Sequence, residues 1–94
     1  MPDLDTVLKS LRESYAKELP QKVDHIKDLC HKRQVEELRI AVHRLRGSGQ
    51  SYGFPEVSEI CARLQEETEF GNWINITIAI EKLEDIVQLL KNNE

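Results

Sequence analysis

The chain has 94 residues, 39% hydrophobic and 32% charged, with a net charge of −4 and a pI of about 5.4. One modest core fits that length, and the acidic balance without a lysine or arginine block disfavours nucleic-acid binding. The longest apolar runs, such as Ile40-Ala41-Val42, are far too short to span a membrane.

The opening twenty residues carry charges throughout and hold no apolar stretch, so no signal peptide is expected. Cys30 and Cys61 are isolated among apolar positions and read as reduced core thiols, which points to a cytoplasmic protein. Residues 1–94 form a single predicted domain. With four glycines and three prolines, the composition favours helix.

In the first segment Leu4, Val7, Leu8, Leu11, Tyr15, Leu19, Val23, Ile26 and Cys30 recur at helical spacing. Pro20 interrupts the pattern, predicting either a kinked helix or a short helix followed by a second one starting at Pro20. The polar cluster His31-Lys32-Arg33-Gln34 reads as a turn.

A second helix is expected over 35–52, with the stripe Leu38, Val42, Leu45, Gly49 and Tyr52. Gly53-Phe54-Pro55 stops it, glycine suiting a helix end and proline the next helix start. A third helix over 55–68 turns Val57, Ile60, Cys61 and Leu64 inward. Phe70-Gly71-Asn72 marks the next turn, with Asn72 or Asn75 as N-cap.

The last segment, 73–91, starts with isoleucines at 74, 76, 78 and 80 that alternate as in a strand. Helical spacing through Ile76, Ala79, Ile80, Leu83, Ile86 or Val87, and Leu90 continues for longer and decides for helix. Trp73 and Phe70 are expected to plug one end. Asn75-Ile76-Thr77 matches a glycosylation acceptor, discounted without a secretory signal. Short connections between amphipathic helices predict an all-α, antiparallel up-and-down four-helix bundle.

The second helix holds the chemistry. At about 100° per residue, Val42, Leu45, Gly49 and Tyr52 fall within roughly 40° of Leu38, His43 roughly 140° away and Gly47 roughly 180° away. Gly49 therefore faces inward, where a missing side chain lets two helices approach. Gly47 faces solvent and leaves His43 unshielded, with Arg39, Arg46 and Gln50 flanking it. An imidazole is mostly neutral near pH 7 and is a usable nucleophile. Arg46 is a charge-assisted donor suited to phosphoryl oxygens. On geometry alone, a solvated surface histidine between arginines is the competing reading.

His43-Arg44-Leu45-Arg46-Gly47-Ser48 resembles the signature His-x-Leu-(Lys or Arg)-Gly-(Ser or Ala) of histidine phosphotransfer (HPt) domains. Those domains are four-helix bundles of about this length, so the resemblance covers nearly the whole chain. Gln65 lies at the separation of a glutamine that holds the imidazole in that family. Arg46 stands where lysine is commoner, which keeps the charge and changes its shape. Residues 47–55 also resemble HPt modules attached to hybrid sensor kinases.

The resemblance implies His43 as phospho-acceptor on its outward ring nitrogen, Gln65 orienting the ring, Arg46 offsetting phosphoryl charge, and Gly47 opening the approach. Arg39, Arg44, Ser48 and Gln50 are candidates for partner or phosphate contact; for Arg44 and Ser48, solvated surface or helix packing competes. The implied function is reversible transfer between His43 and a receiver-domain aspartate. Receiver domains and a hybrid sensor histidine kinase are the implied partners, and the receiver supplies the Mg²⁺. No cofactor is expected on this chain, which lacks a glycine-rich nucleotide loop, so no kinase activity of its own is expected. A monomer is expected.

His25 and His31 read as solvated, His31 alternatively as a helix-end cation, and the three histidines lack the spacing of a metal site. Rival readings are a receiver-binding adaptor that docks without accepting phosphate and a plain helical interaction module. A hydrolytic enzyme is disfavoured because no second nucleophile, base or metal set accompanies His43.

Overall fold

The computed structural model describes residues 3–92. Four helices follow in order: α1 (Leu4–His31), α2 (Val35–Ser51), α3 (Pro55–Phe70) and α4 (Trp73–Asn92). Each packs on its neighbours in the chain, and α1 closes the ring against α4. The result is the expected antiparallel bundle. One core runs down its axis, centred on Leu19, Leu38, Val57, Leu64, Ile76 and Leu83.

Three Schellman turns connect the helices, each around one left-handed residue: Arg33 at φ 55°, Gly53 at φ 83° and Gly71 at φ 70°. In each, the next amide reaches back to a carbonyl five residues earlier: Gln34 N–H to Leu29, Phe54 N–H to Gly49, and Asn72 N–H to Glu67. Glycine supplies the left-handed backbone freely in two turns. The third uses Arg33, whose guanidinium lies 4.2 Å from the centroid of the Trp73 ring. Asn72 caps α4 by accepting from the Asn75 N–H at 3.1 Å.

One expectation is decided between its two alternatives, and another fails. α1 runs through Pro20 as one helix of 28 residues, not as two. Proline has no N–H for the Ala16 carbonyl and costs roughly 3 kcal/mol inside a helix. Burial of Leu19 and Val23 on either side, at 0% and 2% exposure, holds the segment helical against that cost. Phe70, expected to plug the bundle, is 82% exposed. As the last residue of α3 it points off the end, while Trp73 packs against the core under Arg33.

The apolar stripe of α1 is only partly covered. At 28 residues α1 is roughly 42 Å long, against roughly 30 Å for the 20 residues of α4. Its first turns overshoot the bundle, so Leu4, Val7, Leu8 and Leu11 are exposed and burial begins at Tyr15.

Candidate functional site

The site grows from the way α2 meets α3. Leu38, Val42, Leu45 and Gly49 are buried, which turns His43 and Gly47 to the opposite, solvent face. Gly49 sets the closeness of the two helices. A Cβ there would stand 3.2 Å from Val57 Cγ1 and 3.3 Å from the Ser58 amide nitrogen. With Gly49 opposite Ser58, the antiparallel register carries Arg46 to the neighbourhood of Cys61 and His43 to Gln65.

His43 Nδ1 lies 3.3 Å from Gln65 Nε2. On the other side of the same amide, Arg46 Nη1 donates to Gln65 Oε1 at 3.0 Å. Nδ1 is taken up against α3, which leaves Nε2 as the ring nitrogen that a partner can reach. A Cβ built on Gly47 meets nothing within 4 Å, so the approach beside the imidazole is open. Beneath the site, burial pushes the Cys61 thiol up to about 12, an effect that the nearby Arg46 charge only partly offsets.

His43, Gln65, Arg46 and Gly47 are thus gathered in one place. Arg39, one turn before His43, is drawn toward Glu36 at 3.6 Å. Gln50 is exposed on α2. Arg44 turns the other way and lines a groove of about 500 Å³ between α1 and α2, with Lys22, His25 and Glu37 on its walls. Ser48 also faces α1, its hydroxyl 2.6 Å from that of Tyr15 and donating to the Leu45 carbonyl at 3.3 Å. In this structure its hydroxyl packs α2 against α1.

Two elements of the site escaped sequence reasoning. The Arg46–Gln65 bond joins residues on different helices, and nothing in the motif says which amide atom the arginine meets. Tyr15 was legible as an apolar position, but not its bond to Ser48 or its stacking on Tyr52, at 4.4 Å between ring centroids.

The chain belongs to the Hpt domain family, whose model matches residues 10–93. Hpt domains carry out histidine phosphotransfer in phosphorelays and engage the receiver domains of two-component systems. No curated protein and no solved structure matches the chain. Among the described residues, no helix is long and apolar enough to cross a membrane, and no three His, Cys, Asp or Glu side chains are grouped to hold a metal ion.

Proposed function

We propose that this chain accepts a phosphoryl group on His43 Nε2 from a receiver-domain aspartate and passes it on to another receiver. The observation that carries the reading is the placement of His43: exposed on α2, anchored at Nδ1 by Gln65, and unobstructed on the Gly47 side. In the transfer the Nε2 lone pair forms the N–P bond as the P–O bond to the aspartate breaks, and the carboxylate leaves with that electron pair. The proton on Nδ1 stays on the ring. Arg46 meets the equatorial phosphoryl oxygens and offsets their charge.

The receiver supplies the divalent cation and most of the catalytic groups, so this chain is a relay intermediate without ATP chemistry of its own. Arg39 and Gln50, which share the exposed side of α2 with His43, contact the docked receiver. A hybrid sensor kinase is the upstream partner, the setting is cytoplasmic, and the bundle acts as a monomer.

The test is label transfer from a phosphorylated receiver to this protein and to its His43→Ala form. Acid-labile, alkali-stable label on the unmodified chain alone supports the relay. Receiver binding without label on either form replaces it with a docking adaptor.

A further inference from the structure

The orientation of the Gln65 amide has a chemical consequence. An arginine guanidinium only donates hydrogen bonds, so the atom of Gln65 that faces Arg46 at 3.0 Å is the carbonyl oxygen. The NH₂ group then faces His43 Nδ1, at 3.3 Å. An amide NH₂ also only donates, so Nδ1 accepts with its lone pair, and the proton of a neutral imidazole sits on Nε2.

That tautomer is the wrong one for attack. A nitrogen that forms a bond to phosphorus needs its own lone pair, so nucleophilic Nε2 requires the proton on Nδ1. Nδ1–H in turn needs an acceptor, and the acceptor within reach is Gln65 Oε1, which the bond to Arg46 holds turned away from the ring. The two arrangements exclude each other, and a half-turn of the Gln65 amide separates them.

We propose that Arg46 is a latch on the nucleophile: at rest it fixes Gln65 so that His43 carries its proton on Nε2, and it lets go when phosphoryl oxygens arrive. A charge-assisted bond to those oxygens is stronger than the bond to a neutral amide carbonyl, so docking draws Arg46 away. The freed amide turns, Oε1 accepts from Nδ1–H, and the Nε2 lone pair is presented to phosphorus. The electrophile itself readies its nucleophile, and at rest the smaller share of Nδ1–H tautomer makes His43 a several-fold weaker acceptor of stray phosphoryl groups. Arg46 is in this respect a positioning residue acting through Gln65.

The inference rests on the phosphotransfer reading for its meaning but is tested without a receiver. Long-range ¹H–¹⁵N correlation spectra of the full chain distinguish the two imidazole tautomers directly. Wild type is expected to hold mainly the Nε2–H form. Arg46→Met, which keeps the stem and removes the donors, is expected to raise the Nδ1–H share by about three- to tenfold, the worth of one net hydrogen bond. Gln65→Glu, which presents only acceptors, gives the Nδ1–H form with Arg46 still in place. A wild-type ring already in the Nδ1–H form overturns the latch, as does an Arg46→Met spectrum unchanged from wild type. Should the tautomers behave as expected while no receiver transfers label, the relay reading falls and the latch stands.

Discussion

The Tyr15 and Ser48 hydroxyls meet at 2.6 Å, tying α1 to α2 five residues beyond His43. Tyr15 is 4% exposed and stacks on Tyr52, with Phe54 beyond at 5.7 Å between centroids. Burial raises its phenol above the ordinary value, and the Ser48 bond works against that rise. Tyr15→Phe keeps the stacked ring and removes the bond, so urea unfolding should show a loss of about 1 kcal/mol. Tyr15→Ala also empties the space between the helices and should cost about 3–5 kcal/mol. Combining Tyr15→Phe with Ser48→Ala should cost less than the sum of the two, because both remove one interaction.

The exposed start of α1 yields a contrast within one helix. Leu8 and Leu19 belong to the same stripe, yet Leu8 is 51% exposed and Leu19 fully buried. Leu4→Ser combined with Leu8→Ser should change stability by no more than about 0.5 kcal/mol in a denaturant titration. Leu19→Ala should lose about 2–5 kcal/mol. A large loss from the first pair would mean that the overhang is held against something it does not touch in this structure.

That contrast shows where sequence reading reaches its end. The spacing of Leu38, Val42, Leu45 and Gly49 fixes which side of α2 is buried, and from that alone His43 and Gly47 face outward. Helix starts and stops were equally readable, because Gly53, Pro55 and Gly71 have local backbone reasons to stand where they do. What periodicity omits is how far the neighbouring helices extend. Nothing in the pattern says that α1 outruns its partners, so the spacing does not separate Leu4 to Leu11 from the covered part of the same stripe. Phe70 misled for a related reason: an aromatic beside a turn is covered only if the next helix returns over it, and here Trp73 does so instead. Within the site, Gln65 was legible only through the family resemblance, which expects a glutamine at that separation, whereas the orientation of its amide depends on Arg46 crossing from α2.

Cys61 predicts an alkaline weakness. Its thiol is fully buried and held protonated up to about 12, against an ordinary value of 9.0. The unfolded chain therefore loses this proton first as pH rises, and the native state loses stability between those two values by at most ~1.4 kcal/mol per pH unit. Below the ordinary thiol value this contribution is fully present. Urea midpoints measured from pH 7.5 to 10 should fall more steeply for wild type than for Cys61→Ala, even though the alanine form starts lower. Equal slopes would show that the thiol does not control the alkaline limb. In the same range a thiol reagent should reach Cys61 only through unfolding.

The two glycines flanking Ser48 make the last prediction, because they should respond to alanine with opposite signs. Both lie within α2, where alanine is favoured over glycine by roughly 1 kcal/mol. At Gly47 the added methyl meets nothing within 4 Å, so Gly47→Ala should raise stability by about that amount. At Gly49 the methyl meets Val57 at 3.2 Å and the Ser58 backbone at 3.3 Å, and backbone cannot swing aside. Gly49→Ala should push α2 and α3 apart and lose about 1–3 kcal/mol. Function should follow a different order. Gly47→Ala puts a methyl one turn from His43, on the side a partner approaches, so the more stable protein should accept phosphate more slowly from a phosphorylated receiver. Gly49→Ala should shift Gln65 relative to His43 and slow transfer through the site itself. Thermal melts with transfer rates on the same preparations separate the two effects: a Gly47→Ala form that is both more stable and equally fast would mean that the open face beside His43 is not the path of approach.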